Sequence, residues 1–460
     1  MALNLPHKFS PRTYQAEALA AFDRGCKRHL WVWHRRAGKD RTALALTSKA
    51  AWLTPGVYWH LFPELNQGRK ILWDGRDRDG KPFLDAFPEA IIKRRLDQEM
   101  KIELKNGSIW QIVGVDNANA LVGANPRGIV LSEWSLIDPF AWDLLRPILR
   151  ENGGWAIFIF TPRGKNHAFR MYTKAKVDAS WFVSVKTIAD TARDSKGENG
   201  SPVLTMEDIE QERREGMSEE MIQQEYFCSF SGSLVGAYYA DQMARAEQDG
   251  RIGIRPWEPR VECYTSWDLG VSDACSVGVF QSLGNEQRCI DYYEDRGKGM
   301  TGAMKWLKEK PYIYAPMGHL GPHDIKTREI STAQSRMGFA YEHGFSFTAV
   351  PKLPIDEGID LVRRTMPTMS FDAVKCARLI DALRAYRKEW DEKNQEFKKQ
   401  PLHDWSSHAA DMMRTRAVGF RPQSRAPRPS FAQMEFDPMN HDRPIRTGPR
   451  NYNTDFDPFR

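Results

Sequence analysis

The first half of the chain alternates between short apolar runs and longer segments with helical spacing. The strand-like runs lie at 29–34, 57–62, 108–115, 128–133 and 156–161. Several are continuously apolar, which is typical of strands buried on both faces of a mostly parallel sheet. The helix-like segments lie at 13–22, 41–52 and 138–149. Strands that alternate with helices in this way predict an α/β domain.

The second half shows a different pattern. Short strands are predicted at 263–270, 276–280 and 288–293, with tight turns between them, and a later strand approaches 321–324. Helices are predicted at 205–230, 301–309, 372–398 and 404–418, and the polar segment 191–202 predicts a loop. A meander of strands followed by helices predicts a mixed sheet with helices on its faces.

These patterns divide the chain into four parts. We predict an α/β domain over 1–230, a connector over 231–259 and a mixed-sheet domain over 260–420. The last part, 421–460, is rich in Pro and Arg and shows no periodicity, so it predicts a disordered tail.

Composition narrows the class of protein. The net charge of +6, from 66 basic and 60 acidic residues, permits a polyanionic partner without requiring one. The cysteines form no C-x-x-C pair, which argues against a disulfide framework or a cysteine-type zinc site and favours a reducing cytosol. No apolar run is long enough to cross a bilayer, and the first fifteen residues lack the apolar core of a signal peptide.

Residues 31–46 are similar to a phosphate-binding loop of the form G-x-x-x-x-G-K-[ST]. Gly38 and Lys39 fit the pattern, whereas Trp33 replaces the first glycine and Asp40 replaces the hydroxyl residue. Backbone N–H groups at such a helix start bind phosphate oxygens, and Lys39 would reach the outer phosphates. Asp40 could hold Mg²⁺ directly or through water, with Thr42 as a weaker substitute. The alternative is an exposed helix cap.

The loop region supplies most of the candidate nucleotide-binding positions. They are Arg35, Arg36, Ala37, Gly38, Lys39, Asp40 and Arg41.

Three further segments favour a nucleotide site. The strand at 128–133 ends in Ser132-Glu133, where Glu133 could polarise a water and Ser132 could bind a water on Mg²⁺. The strand at 156–161 ends in Thr161-Pro-Arg-Gly, which could sense the phosphate state. Upstream, Gln15 beside Tyr14 could contact the edge of adenine. Each is an ordinary feature alone, but their order at strand ends and helix starts favours an ATPase.

A second kind of chemistry is indicated by three acidic residues in the mixed-sheet domain. Asp268 lies in the first strand, Asp324 at the end of a later strand and Asp411 on a late helix. Carboxylates in these positions suit a ribonuclease H-like nuclease with two Mg²⁺ or Mn²⁺ ions. Read singly, Asp268 and Asp324 could cap a turn and a helix.

Other ligands for this site stay open. Asp291, Glu294 and Asp295 are alternatives to Asp324. A zinc cluster is a further alternative, because the spacing of Asp404, His408 and Asp411 would place them on one helix face.

Together these segments resemble the large terminase subunit of tailed double-stranded DNA bacteriophages. The resemblance runs from about residue 11 to 420 through the following motifs: RTYQ (12–15), HRRAGKD (34–40), VLSEW (130–134), FTPRG (160–164), SWDLG (266–270), PHD (322–324) and SSHAADMMR (406–414). It implies an N-terminal P-loop ATPase domain and a C-terminal ribonuclease H-like nuclease domain.

The resemblance also implies roles for single residues. Lys39 binds phosphate, Glu133 is the catalytic carboxylate and Thr161 belongs to the coupling motif. Asp268, Asp324 and Asp411 are carried over as metal ligands. Trp33, Asp40 and Ser132 depart from the family pattern and leave the binding of Mg²⁺ at the ATPase site open. For the arginine that stabilises the transferring phosphate, the sequence offers Arg35, Arg36, Arg127 and Arg163.

The implied cofactors are ATP and Mg²⁺, with Mn²⁺ also supporting cleavage. The implied partners are double-stranded DNA, the portal protein, the small terminase subunit and the procapsid, with no membrane. The family forms a ring on the portal, here expected to be homo-oligomeric, and the chain in isolation could be monomeric. The expected location is the host cytoplasm, at the portal vertex and not in the mature virion.

Two rival functions remain at this point. One is a helicase-like DNA-remodelling ATPase whose second domain only binds DNA. The other is a non-enzymatic capsid or scaffold component with vestigial motifs.

Overall fold

A computed structural model describes residues 5–115, 121, 123–191, 202–231, 236–270, 274–327, 335–391 and 396–420. One compact unit spans Met1–Gly419. The second unit, Phe420–Arg460, lies outside the described residues except for Phe420, and so does the tail predicted at 421–460. Most of the loop predicted at 191–202 also lies outside them.

The helices in the described residues are α1 (Thr13–Asp23), α2 (Lys39–Leu53), α3 (Leu65–Gly68), α4 (Phe140–Glu151), α5 (His167–Ala175), α6 (Ile188–Thr191), α7 (Met206–Arg214), α8 (Glu219–Glu225), α9 (Ala240–Gln248), α10 (Gly299–Lys308), α11 (Arg336–Glu342), α12 (Ile355–Thr365), α13 (Ala377–Ala385) and α14 (Ser407–Gly419).

The strands are β1 (Arg28–Trp33), β2 (Val57–Phe62), β3 (Ile92–Leu96), β4 (Lys101–Leu104), β5 (Ile109–Gly114), β6 (Pro126–Ser132), β7 (Trp155–Phe160), β8 (Trp181–Lys186), β9 (Ile252–Gly253), β10 (Cys263–Leu269), β11 (Ala274–Leu283), β12 (Glu286–Arg296), β13 (Tyr314–Gly321), β14 (Phe347–Ala349), β15 (Met369–Asp372), β16 (Lys388–Asp391) and β17 (Glu396–Pro401).

The first sheet has the order β3-β4-β5-β2-β6-β7-β1-β8. In this order, the six neighbouring strands β5, β2, β6, β7, β1 and β8 run parallel to one another. At the other edge, β3 pairs antiparallel with β4, and β4 pairs antiparallel with β5. Along β1, Trp31 and Trp33 pack into one core with α1 and α2, whereas Leu30 and Val32 pack into another core with α4. Because both faces are covered, the strand is continuously apolar, as predicted.

The second sheet is mixed and has the order β14-β13-β10-β11-β12-β15-β9. The meander β10-β11-β12 is antiparallel, and β13 joins β10 in parallel. On one face lies a core that includes residues of α12, α13 and α14, and on the other a core that includes residues of α10 and α11. The predicted fold class, a mostly parallel α/β sheet followed by a mixed sheet, is confirmed.

The prediction of one continuous helix at 372–398 is wrong. The structure has β15, α13 and then the antiparallel pair β16 and β17 in this region. Backbone hydrogen bonds from Lys388 N to Gly236 O (3.0 Å) and from Tyr238 N to Tyr386 O (2.9 Å) hold the chain in an extended form after α13. The polar sequence 388–400 suits either structure, so the tertiary pairing decides.

The helix predicted at 205–230 is also corrected, because it divides into α7 and α8. Gly216, at a φ of 100°, stands between them, and Ser218 begins the second helix by accepting the backbone N–H of Met221. Among the described residues, no helix combines the length and the apolar character that crossing a membrane requires.

Candidate functional site

The carboxyl ends of three neighbouring parallel strands meet at one edge of the first sheet. Val32 of β1 pairs with Phe160 of β7, and Ser132 of β6 pairs with Ile159. The loop after β1, Glu133 after β6 and Thr161 after β7 therefore share this edge. In open α/β sheets such an edge is the usual place for a bound nucleotide.

Lys39 joins two of these segments. Its Nζ donates to Trp33 O (3.1 Å), to His34 O (3.3 Å) and to Thr161 Oγ1 (3.1 Å). Gly38 precedes it at a φ of 76°, in the left-handed region that favours glycine, and starts α2. The lysine is buried against the loop carbonyls and the threonine. The sequence-predicted loop and the Thr161 segment are thus brought together.

Trp33 is the last residue of β1 and not a loop residue. It is fully buried, stacks on Trp31 with ring centroids 5.0 Å apart, and donates its indole N–H to Ser184 Oγ at 2.9 Å. The position where the loop pattern has its first glycine is therefore used here for packing between β1 and β8.

Tyr14 and Gln15 support the loop from α1. The Tyr14 hydroxyl and Gln15 Nε2 both donate to Ala37 O, at 3.0 and 3.1 Å. Gln15 Oε1 accepts the backbone N–H of Arg12 at 3.0 Å. Both ends of the Gln15 amide are thus engaged within the protein, and its contact with adenine stays a prediction. Arg41 lies near Lys8 O and Asp77 (3.5 Å each).

Asp40, Ser132 and His60 form a polar group in which the serine and the histidine are buried and the aspartate is partly exposed. Ser132 Oγ donates to Asp40 Oδ1 at 2.6 Å, and His60 Nε2 lies 3.3 Å from the same oxygen. Burial alone would raise the pKa of Asp40, but the hydrogen bond and charge of His60, then Ser132 and Lys39, lower it below its usual value. Sequence reasoning did not single out His60, although a histidine within the apolar run VYWHLF is a signal of a buried partner.

Glu133 stands directly after β6 in an unusual conformation. Its φ is 55°, in the left-handed region, and its Oε2 is buried with no hydrogen-bond partner among the described residues. Burial raises the pKa of Glu133, an effect that Lys39 and Arg163 partly oppose. A carboxyl group with a raised pKa and an unpaired oxygen can accept a proton from a water molecule.

The four arginines predicted as candidates lie in different places. Arg163 pairs with the buried Glu225 of α8, and Arg35 lies 3.8 Å from the same carboxylate. Arg36 is exposed on the loop. Arg127 lies near the start of β6, five residues or about 16 Å from Ser132, so it cannot act at this edge within one chain.

The second candidate site lies where α14 packs on the second sheet. Trp267 and Leu269 of β10 face the core with α10, so Asp268 and Ser266 face α14. Ser266 Oγ donates to Met412 O at 2.8 Å, and Ser276 Oγ on β11 donates to His408 O at 2.9 Å. These two bonds hold the helix over Asp268.

Asp268 and Asp411 lie close together at this contact. Asp268 Oδ2 is 3.1 Å from His408 Nδ1, and Asp411 pairs with Arg414 on its own helix. Burial, and after it the charge of Asp268, raises the pKa of Asp411 to about 6, although Arg414 and His408 oppose this. The hydrogen bond and charge of Asp268 outweigh burial and raise the pKa of His408.

Asp324 follows β13, which runs parallel to β10 with Ser266 opposite Leu320. Its Oδ1 is buried and has no hydrogen-bond partner among the described residues. Within the described ranges, no set of three His, Cys, Asp or Glu residues is arranged to hold a metal ion, so Asp324 does not complete a cluster with Asp268 and Asp411 there. The hard oxygen donors fit Mg²⁺ or Mn²⁺, but the three-carboxylate site stays a prediction.

The alternative ligands have partners of their own. Asp291 accepts from Lys310 and Tyr312 at 2.8 Å each. Glu294 lies in the same row as Asp268, because both pair with Ser276 of the strand between them, but it accepts from Arg378 (2.8 Å) and Tyr292 (2.6 Å). Asp295 accepts the backbone N–H of Lys298 at 3.2 Å, just before α10.

The alternative of a zinc site required Asp404 and His408 on one face of a helix. That placement is wrong. Asp404 precedes α14, and its Oδ1 accepts the backbone N–H of Ser406 at 2.9 Å.

No family model matches the chain. A curated relative does: the large terminase subunit of Escherichia phage T5 is 25% identical over 331 residues, which are 70% of this chain and 72% of that protein. The chain resembles large terminase subunits. The resemblance predicted from the motifs is thereby confirmed.

Solved large terminases are similar at lower identity. A large terminase from a thermophilic bacteriophage, in complex with ADP, is 16% identical with a TM-score of 0.40, over 89% of this chain and 99% of that one. The ATPase domain of the Thermus phage P74-26 enzyme is 18% identical with a TM-score of 0.39, over 50% and 100%. The nuclease of thermophilic phage G20c with bound magnesium is 12% identical with a TM-score of 0.29, over 41% and 99%.

In this terminase-like chain, α13 connects the two sites, which the sequence did not predict. Arg378 pairs with Asp138, six residues after Ser132, and with Glu294 in the row of Asp268. One turn further on, Asp381 pairs with Arg170, and Arg384 then donates to Lys165 O at 2.6 Å. The spacing of three between Arg378, Asp381 and Arg384 was the available signal, since it places them along one side of a helix.

Proposed function

We propose that the chain is a DNA-packaging motor, in which ATP hydrolysis drives double-stranded DNA into a procapsid and a metal-dependent endonuclease cuts concatemeric DNA. The observation that carries the proposal is the contact of Lys39 with Thr161. It unites the phosphate loop with the segment that follows β7, at the edge that also holds Glu133. The similarity to the phage T5 large terminase supports the same assignment.

For hydrolysis, each residue at the edge of the first sheet has a distinct role. Lys39 exchanges its bonds to loop carbonyls for the outer phosphates of ATP, and Thr161 senses that exchange. Glu133 accepts a proton from the attacking water, which its raised pKa favours. Arg163, two residues after Thr161 and paired with Glu225, would stabilise the developing charge within one subunit. Bound Mg²⁺ would supply neutralisation of charge on the phosphates.

For DNA cleavage, Asp268, Asp324 and Asp411 would hold two Mg²⁺ or Mn²⁺ ions, and the bound ions would supply activation of water and stabilisation of the leaving oxygen. His408 orients the Asp268 carboxylate through its 3.1 Å contact. DNA contacts are expected to be mainly to phosphates and therefore to weaken as salt concentration rises.

The packaging role implies further partners. The small terminase subunit would recognise the packaging site, and the portal and procapsid would receive the DNA. A homo-oligomeric ring on the portal, assembled from monomers in the host cytoplasm, fits this role.

Crossed variants of the two sites test the proposal. Lys39→Ala should abolish phosphate release from ATP but leave nicking of plasmid DNA with Mn²⁺ intact. Asp268→Ala or Asp411→Ala should abolish nicking and leave phosphate release intact. Lys49→Ala, which removes a partly exposed lysine of the same helix α2, is the matched control.

The rival functions predict other outcomes. Cleavage by Asp268→Ala and Asp411→Ala at the wild-type rate would leave a helicase-like remodelling ATPase. Unchanged turnover in Lys39→Ala would contradict the phosphate-loop assignment, and a folded wild-type chain with neither activity would favour a scaffold component.

A further inference from the structure

The two departures from the usual phosphate-loop pattern lie next to each other in space. Asp40 is the second residue of α2, Ser132 is the last residue of β6, and Ser132 Oγ donates to Asp40 Oδ1 at 2.6 Å. In the usual arrangement a hydroxyl follows the loop lysine, an aspartate stands at the end of the strand, and both hold Mg²⁺. Here the same two chemical groups occupy the same two positions of the fold in reversed order.

His60 on the neighbouring strand β2 makes this pair a built site. Its ring is fully buried, and its Nε2 lies 3.3 Å from Asp40 Oδ1. Because both polar contacts of the carboxylate go to Oδ1, the other oxygen of Asp40 makes no hydrogen bond within the described residues. The histidine thus fixes the orientation of the carboxylate without using both oxygens.

A second, independent observation points to a ligand here. Glu133, directly after Ser132, has a buried Oε2 with no hydrogen-bond partner in the described part of the chain. A carboxylate oxygen that is buried without a donor is expected to have a ligand, and Glu133 follows directly on the strand end that carries Ser132, so a hard divalent cation, which binds carboxylate oxygens, fits this strand end.

We propose that Asp40 and Ser132 are an exchanged magnesium-binding pair, with the carboxylate supplied by the loop and the hydroxyl supplied by the strand, and that His60 positions the carboxylate. The proposal rests on the nucleotide-hydrolysis function proposed above. Asp40 and Ser132 each depart from the usual motif, but together they retain both groups. The loop lacks the hydroxyl that Ser132 supplies, and the strand lacks the carboxylate that Asp40 supplies.

A cation-binding role of Asp40 and a purely structural role predict different effects of its substitution. If Asp40 only stabilised the start of α2, its substitution would lower stability and weaken nucleotide binding equally with and without Mg²⁺. If it holds the cation, only the gain in affinity that Mg²⁺ provides is lost. Reversing both residues together would then restore the usual order and recover that gain.

The experiment measures binding of a fluorescent ATP analogue to the full chain, with Mg²⁺ or with EDTA. Wild type should bind about tenfold or more tightly with Mg²⁺, within the ordinary range of coupling between two ligands. Asp40→Asn, which keeps an acceptor for Ser132 and His60, and Asp40→Ser should each lose this gain. The double variant Asp40→Ser with Ser132→Asp should recover most of it. Asp23→Asn, an exposed aspartate on α1, is the control and should keep the full gain.

Two outcomes would overturn the inference alone: retention of the Mg²⁺ gain by Asp40→Asn, or a double variant no better than Asp40→Ser while folded by circular dichroism. If wild type binds no nucleotide under either condition, the proposed ATPase function falls and the exchange falls with it. Because wild type is measured first, the two failures are distinguishable.

Discussion

The two candidate sites compensate their negative charge in different ways. At the edge of the first sheet, Asp40 has hydrogen bonds from Ser132 and His60, which keep its pKa low. On the second sheet, burial and the neighbouring Asp268 raise the pKa of Asp411 to about 6. At the first site, hydrogen-bond donors of the protein therefore favour the ionised carboxylate, whereas the second site retains excess negative charge that a cation would offset. Both sites are proposed to hold a divalent cation, and they differ in whether protein donors already stabilise the carboxylate without it.

The largest effect is expected at Glu133. Glu133→Gln removes the proton acceptor, so phosphate release should fall by about 10²- to 10⁴-fold. Nucleotide affinity should change little, because Lys39 and the loop remain. Single-turnover hydrolysis and fluorescent-nucleotide binding measure the two quantities. Glu151→Gln at the exposed end of α4 is the control, and hydrolysis near the wild-type rate in Glu133→Gln would remove this residue from the mechanism.

The connection between the sites can be broken at Arg378. Arg378→Ala leaves Asp138 and Glu294, both largely buried, without their shared partner, and should destabilise the protein by about 3–5 kcal/mol. Urea unfolding measures the change. Arg146→Ala, which removes an exposed pair with Asp143, should cost about 1 kcal/mol or less. Equal losses in the two variants would mean that Arg378 carries no more stability than a surface residue.

The two sites should respond differently to pH. The pKa of Asp411 is raised from 3.8 to about 6, so a proton competes with metal below that pH. Mn²⁺ affinity at the second site should fall by up to about tenfold for each pH unit below 6. The sign is opposite for the metal-free fold, which binds the proton more tightly than the unfolded chain and gains stability as pH falls from about 6 towards 4.

Calorimetric titration of Mn²⁺ between pH 5 and 7.5 measures this difference, with Asp360→Asn on the exposed side of α12 as the control. Nucleotide affinity measured alongside should not show the same midpoint, because the pKa of Asp40 is lowered. A metal affinity independent of pH across 6 would contradict the assignment of Asp411 as a ligand.

The smallest effect tests the placement of Trp33 in the sheet. Ser184→Ala removes the acceptor of its indole N–H and should cost about 1–3 kcal/mol, because the buried donor is left unpaired. Thermal unfolding measures the loss, and nucleotide affinity should stay within about twofold of wild type. A large loss of nucleotide affinity without loss of stability would mean that Trp33 contributes to nucleotide binding and not only to packing in the sheet.

Local sequence predicted most of the first site. The apolar runs gave β1, β6 and β7, and their parallel arrangement brings Lys39, Glu133 and Thr161 to one edge. Glu225 and His60 were not predicted, because they come from α8 and β2 and meet the site only after folding. Asp268 of β10 and Asp411 of α14 meet where this helix packs on the second sheet, but their role as metal ligands, like the place of Asp324 beside them, stays a prediction.

The sequence by itself determined the two sheets, the order of the motifs and the residue types at each strand end, because hydrophobic periodicity and short motifs are local properties. The tertiary structure decided which polar groups meet. It placed Ser132 against Asp40, extended the chain at 388–401 instead of continuing a helix, and set α13 between the two sites. These choices depend on contacts between residues about 90 to 240 positions apart, where the free energy of pairing and burial outweighs local propensity.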